Sequence, residues 1–372
     1  MQTLGVGLIG TGFMGKCHAL AWANAGPVLG ATPRVRLVAL CDTPLERAEA
    51  LAPQWGFERA EADWRALIAD PEIDAISITT PNRLHAEMAI AALQAGKHVW
   101  CEKPMALTEA EAEAMVAAAK AAGKATMLGY NYIRNPAHQH AIKLISEGAI
   151  GRVIQFRGWV EEDYQADPDL AWSWRAKLAE AGLGALGDIG SHLVSLSMGV
   201  MGPIDSLIAD MQTVYETRPL ADGSGRAAVE NEDAATAVVR FANGAQGSMV
   251  ISRAAWGRKS RLGYEVHGSE GMIIFDQERM NELQLYQNRG PKAEQGFRTI
   301  LTGPAHPPYG EFCPAPGHQL GFNDLKVIEA AEFLASIQSG SPCKMDFAEG
   351  LYVERVIHAI AQSAREDRRV TL

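Results

Sequence analysis

The chain has 372 residues, more than one hydrophobic core usually organises, so we expect two domains. Hydrophobic residues make up 47% and charged residues 21%, a balance typical of a globular protein. Lys and Arg number 34 and Asp and Glu 44, which gives a net charge of −10. That charge argues against nucleic acid or an anionic membrane as the main partner. No run of about 18 uncharged apolar residues occurs, so no membrane span is expected.

The five cysteines are scattered and none forms a C-x-x-C pair, which argues against a disulfide framework or a zinc cage. We expect Cys17, Cys41 and Cys101 to be buried as small hydrophobic residues. The chain starts without a basic or apolar leader-like stretch. These features predict a cytoplasmic protein that binds no metal.

The first 150 residues alternate β-branched runs with alanine-rich stretches, as βαβ units on a parallel sheet do. Predicted strands lie at 4–9, 35–41, 75–79, 98–101 and 125–130. Predicted helices lie at 14–24, 44–54, 84–95, 108–122 and 136–147. Thr108 and Glu111 have the spacing of a capping box at the start of one of these helices.

From residue 152 the pattern changes to a period of two, which is typical of strands. Six such segments predict an open antiparallel sheet: 153–160, 206–215, 234–241, 246–252, 265–275 and 282–287. Gly-rich connections such as 268–271 mark its turns. We expect one helix at 188–201, a Pro/Gly-rich loop at 291–321, and closing helices at 324–339 and 347–364.

Between the first strand and the first helix lies a G-x-G-x-x-G motif. Its first glycine allows the tight turn, the second lets the backbone approach a pyrophosphate, and the third lets the helix pack closely on the strand. In this setting the motif indicates a dinucleotide-binding Rossmann domain over residues 1–130, to which the closing helices contribute. The fold class is then α/β, with a doubly wound parallel sheet followed by an α+β domain at 131–372. The motif residues expected to contact the cofactor are Gly10, Gly12, Phe13, Met14 and Gly15.

Asp42 ends the second strand, where the adenosine ribose of a dinucleotide would lie. It lies further along than the usual spacing, and the segment 26–33 explains this as a loop extension. A carboxylate there accepts hydrogen bonds from both ribose hydroxyls and repels a 2′-phosphate, which favours NAD over NADP. Alternatively, Asp42 only initiates the turn before Pro44. Arg47, one helical turn on, is the feature that could admit NADP.

Two polar clusters are candidates for the chemistry. Lys103 follows the strand at 98–101, at the sheet edge where ligands bind, and a desolvated lysine can polarise or deprotonate a hydroxyl. Asp188 and His192 are four residues apart on the predicted helix, so the carboxylate could orient the imidazole as a general base. The alternative for this pair is a helix cap and a structurally satisfied histidine.

Taken together, these motifs resemble the glucose–fructose oxidoreductase, inositol dehydrogenase and MocA family over essentially the whole chain. Thr80-Pro81-Asn82, the Tyr130–Arg134 stretch and Trp174-Arg175 add to the likeness. The resemblance implies a catalytic set of Lys103, Asp188 and His192, with His192 as base. It also implies that NAD binding involves Thr80, Pro81, Asn82, His85, Glu102, Lys103, Asn131, Trp174 and Arg175. One departure is Ser195, where many members carry Asp, and we expect it to alter helix packing or pocket polarity.

The family's substrates are cyclic polyols and sugars. Residues 306–324 most resemble inositol, L-glucose and levoglucosan dehydrogenases, so the resemblance implies oxidation of an inositol- or L-glucose-type CH–OH group, with a levoglucosan-type anhydrosugar as an alternative. His318 is a candidate for contacts to substrate hydroxyls, or else a solvated surface residue. The other candidate substrate contacts are Lys103, Tyr132, Tyr164, Arg175, Asp188 and His192; for Tyr132 and Tyr164 packing is the competing interpretation.

Two other activities are compatible with these residues: a glycosidase that oxidises its substrate transiently, and a nucleotide-binding regulator without catalysis. The retained Lys103, Asp188 and His192 argue against the regulator. The central expectation is that the glycine turn, Lys103 and His192 meet at one crevice. An open sheet must cover its outer face, so we also expect a homodimer or homotetramer, in which the 291–321 loop could reach a neighbouring subunit.

Overall fold

The computed structural model describes residues 3–372 and divides into two compact units. The first contains the chain up to Asn131 together with Leu320–Glu354, and the second contains Tyr132–Gln319 and Arg355–Leu372. The sequence placed the division near residue 130, with 131–372 as the second domain and the closing helices contributing to the first. In the structure, 320–354 belongs to the first unit, because this segment packs into that unit's core.

In chain order, the elements up to residue 131 are β1 (Thr3–Ile9), α1 (Phe13–Leu29), β2 (Arg34–Cys41), α2 (Leu45–Trp55), β3 (Arg59–Glu61), α3 (Trp64–Ala69), β4 (Ala75–Ile78), α4 (His85–Gln94), β5 (His98–Cys101), α5 (Glu109–Ala122) and β6 (Thr126–Leu128). The six strands form a parallel sheet in the order β3-β2-β1-β4-β5-β6. The five predicted strands and the predicted fold class are confirmed. The sequence missed β3 and α3, since three and six residues are too short to show a period.

The remaining elements are α6 (Pro136–Ser146), β7 (Val153–Glu161), α7 (Leu178–Ala181), α8 (Ser191–Met201), β8 (Ile204–Gln212), β9 (Thr217–Pro219), β10 (Arg226–Ala228), β11 (Ala234–Phe241), β12 (Gln246–Ser252), β13 (Arg261–Gly268), β14 (Gly271–Asp276), β15 (Glu282–Gln287), β16 (Arg298–Leu301), α9 (Tyr309–Phe312), α10 (Phe322–Ser339), α11 (Phe347–Glu366) and β17 (Val370–Thr371). A five-residue π-helical segment, Leu186–Gly190, leads directly into α8.

The large sheet of the second unit differs from the prediction of about six antiparallel strands. It has nine strands, in the order β16-β15-β14-β13-β7-β12-β11-β8-β17. The sheet is mixed, because β12 pairs in parallel with β7 while their other neighbours run antiparallel. The segment 265–275 divides into β13 and β14, and the predicted loop at 291–321 contains β16 and α9. Strand periodicity reports burial on one face and not strand direction, so the parallel pair was invisible in the sequence.

Aromatic packing joins α10 to the first unit's sheet. The Phe333 ring of α10 is fully buried, with its centroid 6.0 Å from Trp22 on α1 and 6.4 Å from Trp100 on β5. Val6 and Met127 belong to the same cluster. The helix therefore completes the sheet's covering layer, although more than 200 residues separate it from β5.

Two local predictions are confirmed by contacts. In the capping box of α5, the Glu111 N–H donates to Thr108 Oγ1 at 3.2 Å, and the Thr108 N–H donates to Glu111 Oε2 at 3.1 Å. Cys17, Cys41 and Cys101 are buried free thiols, as expected. Within residues 3–372, none of the helices has the length and the apolar run that crossing a bilayer requires.

Replacing Phe333 with Ala should lower the free energy of unfolding by about 3–5 kcal/mol, because it leaves a cavity among Trp22 and Trp100. Thermal or urea unfolding would measure the loss. As a control, Phe297→Ala removes a ring that is 51% exposed and should change stability by only about 0.5 kcal/mol. Equal effects from the two variants would show that α10 is not part of this core.

Candidate active site

The three glycines of the G-x-G-x-x-G turn are required for different reasons. Gly10 has φ +103°, and a Cβ there would lie 2.7 Å from the Thr79 carbonyl oxygen. A Cβ on Gly15 would lie 2.1 Å from the Gly10 carbonyl oxygen. A Cβ on Gly12 would meet no atom within 4 Å. The protein's own packing therefore requires the first and third glycines. The second borders open space, where a ligand can approach the protein backbone closely.

Thr79, which the sequence did not single out, supports this turn. Its hydroxyl lies 2.9 Å from the carbonyl oxygens of both Ile9 and Gly10. Its own N–H donates to Ile9 O at 2.9 Å. A threonine after a buried strand carries no distinctive local signal, so only the pairing of β1 with β4 identifies this role.

Asp42 lies beside the glycine turn. The Thr11 N–H donates to Asp42 Oδ2 at 2.9 Å, and the Thr11 hydroxyl donates to the same oxygen. The two residues border a cavity of about 390 Å³ that is also lined by Gly12, Arg47, Ala50 and Leu51. A fixed carboxylate and an apolar wall suit the ribose and adenine of a dinucleotide, and the carboxylate disfavours a 2′-phosphate. Arg47 shares this cavity, as the sequence analysis anticipated.

At the end of β5 lies Glu102, one of the residues that the family resemblance implied in NAD binding. Its carboxylate is buried, and its Oε1 lies 2.6 Å from Lys326 Nζ and 2.9 Å from His18 Nε2. Burial would raise the pKa of Glu102, but the Lys326 charge and the His18 hydrogen bond hold it well below its usual range. Burial lowers the pKa of His18 to about 4, so this imidazole is neutral at pH 7.

His85 is also buried, 1% exposed, and both ring nitrogens lie against backbone oxygens. Nδ1 is 2.8 Å from Pro104 O, and Nε2 is 2.9 Å from Thr80 O. The ring therefore ties the loop after β4, which carries Thr80, Pro81 and Asn82, to the loop after β5. The family resemblance implied a part in NAD binding for His85, which stays a prediction; its contacts in the structure connect two loops.

Lys103 is half-buried, and its N–H donates to Glu102 Oε2 at 3.2 Å. Its peptide bond to Pro104 is cis.

Asn131 is 1% exposed, and its side-chain Nδ2 has no hydrogen-bond partner among residues 3–372. A buried amide donor of this kind fits a ligand acceptor such as a cofactor oxygen or carboxamide.

In the second unit, Asp188 lies in the π-helical segment before α8. The Tyr164 hydroxyl donates to Asp188 Oδ2 at 2.6 Å, and Arg175 Nε lies 3.8 Å from the same oxygen. Burial and the Asp188 charge raise the pKa of Tyr164, so the phenol stays protonated as the donor. The Arg175 guanidinium stacks 4.7 Å from the centroid of Trp174. The structure thus brings two other predicted residues, Tyr164 and Arg175, to the Asp188 carboxylate, and a third, Trp174, to Arg175.

His192 is 7% exposed at the start of α8 and packs edge-on against Tyr132, with ring centroids 4.8 Å apart. Ser195, the departure from the family pattern, donates its hydroxyl to the His192 carbonyl oxygen at 2.8 Å. Its polar atom is satisfied within its own helix. His318 is exposed, and its backbone oxygen accepts the Tyr309 hydroxyl.

Glu232 contacts the Asp188 segment, and Arg253 lies behind it; neither residue was predicted. The Glu232 carboxylate accepts the Leu186 N–H at 2.9 Å, and a Cβ on Gly184 would lie 2.0 Å from the Glu232 carbonyl oxygen. Arg253 is 2% exposed and donates to Asp233 Oδ1 at 2.8 Å. Glu232, just before β11, thus contacts the segment that carries Asp188, and Arg253, just after β12, holds the neighbouring Asp233.

Comparison with known proteins decides the family. Residues 4–130 match an oxidoreductase family with an NAD-binding Rossmann fold, and residues 138–274 match the GFO/IDH/MocA C-terminal domain. The chain belongs to the GFO/IDH/MocA oxidoreductase family. The predicted family, the enzyme class and NAD as cofactor are thereby confirmed.

Individual relatives of this GFO/IDH/MocA protein act on sugars. Levoglucosan dehydrogenase from Pseudarthrobacter phenanthrenivorans is 42% identical over 99% of this chain and 97% of the relative. A solved structure of levoglucosan dehydrogenase with NADH and levoglucosan superposes with a TM-score of 0.95 and covers 100% of this chain and 99% of that one. A 1,5-anhydro-D-fructose reductase from Ensifer adhaerens is 35% identical over 64% of this chain and 67% of the relative.

Gly12→Ala should weaken NADH binding, whereas Gly15→Ala should destabilise the ligand-free protein. The Gly12 variant should leave the stability of the ligand-free protein within about 0.5 kcal/mol, because the new methyl group meets open space. It should raise the Kd for NADH about tenfold or more, since the pyrophosphate approaches that backbone. Gly15→Ala should instead lower the melting temperature of the ligand-free protein, because its Cβ overlaps the Gly10 carbonyl. Thermal unfolding and fluorescence titration with NADH separate the two; a destabilised Gly12 variant with normal NADH affinity would contradict this assignment.

Proposed function

We propose that this protein is an NAD-dependent dehydrogenase of anhydrosugars and that levoglucosan is its substrate. The observation that carries the proposal is the 42% identity to levoglucosan dehydrogenase over nearly the full length of both chains. The family resemblance of the sequence implies an inositol- or L-glucose-type substrate, with levoglucosan as an alternative. Within the sugar and polyol dehydrogenases of the family, the relationship over the whole chain now favours that alternative.

Oxidation of a CH–OH group removes a hydride from carbon and a proton from oxygen. NAD, when bound, accepts the hydride. In this proposal, His192 takes the hydroxyl proton as general base. The Tyr132 ring against its edge restricts how the imidazole can turn.

The Asp188 carboxylate lies one turn before His192 and favours the imidazolium that forms. The Tyr164 hydroxyl and the Arg175 guanidinium hold this carboxylate in place. Arg175 has further N–H groups that can donate to sugar hydroxyls, whereas the Tyr164 oxygen, whose proton goes to Asp188, can accept from one. Lys103 supplies a positive charge at the edge of the Rossmann sheet, where it stabilises developing alkoxide character. His318 lies exposed on its loop, where it is available to contact substrate.

The test is a screen of NAD reduction across levoglucosan, inositol isomers and hexoses of both hands. Levoglucosan should show the highest kcat/KM, with NAD preferred over NADP by about tenfold or more because of the Asp42 carboxylate. NADH formation would be followed by absorbance. Preference for an inositol would overturn the substrate assignment, and sugar release without net NADH would favour the glycosidase.

A matched variant separates chemistry from binding. His192→Asn should lower kcat by about 10²- to 10⁴-fold, because a general base is lost, while the Kd for NADH stays within a factor of about three. His267→Asn, which changes a half-buried histidine on β13 that has no role in the proposed chemistry, serves as the control. A His192→Asn enzyme with normal turnover would remove the proposed base.

We also propose that the outer face of the nine-stranded sheet packs against a second copy of this chain. Val238 and Val250 on that face are 48% and 37% exposed, and Ile208, paired with Val238, is 37% exposed. Their strand neighbours Val239 and Ile251 are fully buried on the opposite face. Sheet-to-sheet pairing would remove this apolar surface from water, which supports a homodimer or homotetramer.

Val238→Lys should convert the oligomer to smaller species, because it buries an unpaired ammonium at the centre of the proposed interface. Light scattering at micromolar concentration would measure the mass. Val214→Lys is the control, since Val214 is 39% exposed but lies beyond the end of β8. A wild-type protein that is already monomeric would contradict the proposal.

The proposed location is the cytoplasm, where a reducing environment matches the five free thiols. The net charge of −10 supports a small-molecule partner over nucleic acid.

A further inference from the structure

Two buried residues from the segment 320–354 hold the loop that carries Lys103. Lys326 lies on α10 and Glu354 on α11, and their partners in this loop region are 224 and 249 positions away in the sequence. Both side chains are fully buried. Neither was a candidate from the sequence, and the chemistry described above does not use either one.

Lys326 holds the loop from the side of β5. Its ammonium group lies 2.6 Å from Glu102 Oε1, 2.8 Å from Glu329 Oε2 and 3.4 Å from the Gly129 carbonyl oxygen. Three donors thus meet three acceptors, and the lysine's charge is balanced inside the protein. Glu102 Oε2 accepts the Lys103 N–H at 3.2 Å. A single carboxylate therefore connects Lys326 to the backbone of Lys103.

A series of hydrogen bonds ends on the same Glu102 oxygen that Lys326 contacts. The Trp22 indole N–H donates to Ser77 Oγ at 2.8 Å, and Ser77 Oγ lies 3.2 Å from His18 Nδ1. His18 is neutral, so Nδ1 accepts from Ser77 and Nε2 donates to Glu102. Every polar group in this series has a defined role, which leaves the Glu102 carboxylate little freedom to move.

Glu354 holds the loop from the other side of Lys103. Its Oε1 accepts the Met105 N–H at 2.7 Å, and the Ala106 N–H also binds this carboxyl group. Burial raises the pKa of Glu354 to about 8, so the group is mainly the neutral acid at pH 7. The neutral carboxyl group therefore binds the Met105 and Ala106 N–H groups, just after Pro104, without placing a charge in the interior.

We propose that Lys326 and Glu354 are positioning residues for Lys103, an inference that rests on the catalytic role assigned to Lys103 under the proposed function. Apolar side chains of similar volume would fill these sites without the cost of burying polar groups. What the polar groups add is direction. Lys326 fixes the Glu102 carboxylate that accepts the Lys103 N–H, and Glu354 accepts the N–H groups of Met105 and Ala106. The C-terminal segment thereby sets where the Lys103 side chain leaves the backbone.

A double-mutant cycle tests the proposal. Lys326→Met and Glu354→Met should each lower kcat by roughly 10- to 100-fold, because small misplacements of a catalytic group are costly. In a Lys103→Ala background, each should lower the residual kcat by less than about threefold, since there is no side chain left to position. Glu354→Gln keeps an acceptor for the two N–H groups and should restore most of the activity lost in Glu354→Met. Lys120→Met, an exposed lysine on α5, should leave kcat unchanged.

A second readout does not depend on the substrate. Hydrogen exchange measured by mass spectrometry should be faster in a peptide spanning 100–107 for Lys326→Met and Glu354→Met, and unchanged for Lys120→Met. If Lys326→Met fails to fold, Glu354→Met carries the test alone, because it strands no opposite charge. Unchanged exchange in a folded variant, or equal losses of kcat with and without Lys103, would overturn the proposal.

The outcomes also separate this inference from the function on which it rests. Normal turnover of Lys103→Ala would remove the proposed role of Lys103 and the positioning proposal together. An impaired Lys103→Ala enzyme whose loss simply adds to that of Lys326→Met would leave the function standing and remove only the positioning role.

Discussion

A lysine ammonium that no water reaches must be neutralised by the protein itself, and Lys326 meets this constraint through Glu102 and Glu329. Removing one member of such a pair leaves an uncompensated buried charge, at a cost of about 3–5 kcal/mol. The ion pair therefore obliges α10 to dock against β5, and the packing of Phe333 on Trp22 and Trp100 supplies the apolar part of the same contact. The edge of the Rossmann sheet that carries Lys103 depends on both.

The second unit supports its functional side chains by a comparable arrangement. Arg253 and Asp233 form a buried ion pair, and Arg253 also donates to the Asn231 side chain at 2.9 Å. The intervening Glu232 accepts a hydrogen bond from the backbone that leads into the Asp188 segment. In both units, buried polar groups whose hydrogen-bond partners are all within the protein support the functional side chain, Lys103 in the first and Asp188 in the second. This support preorganises the functional side chain.

The cofactor turn shows a division between what the fold requires and what the ligand requires. Gly10 and Gly15 make room for the chain itself, whereas Gly12 makes room for the dinucleotide. His85 shows the same division in another form. It belongs to the motif region of the family, yet its contacts connect two loops of the protein. A residue can therefore belong to a family's binding-site motif because it fixes the backbone around the site.

By itself the sequence determined the βαβ order, the glycine turn, the capping box and the change to a sheet-rich second half, because each of these is encoded by residues close together in the chain. Tertiary structure alone decided which part of the closing helices, 320–354, joins the first unit, that β7 and β12 run parallel, and that Glu102 is buried beside Lys103. A lysine on a helix resembles a surface residue in any local pattern. Its partner lies 224 positions away, and only folding reveals that the two charges meet in the interior.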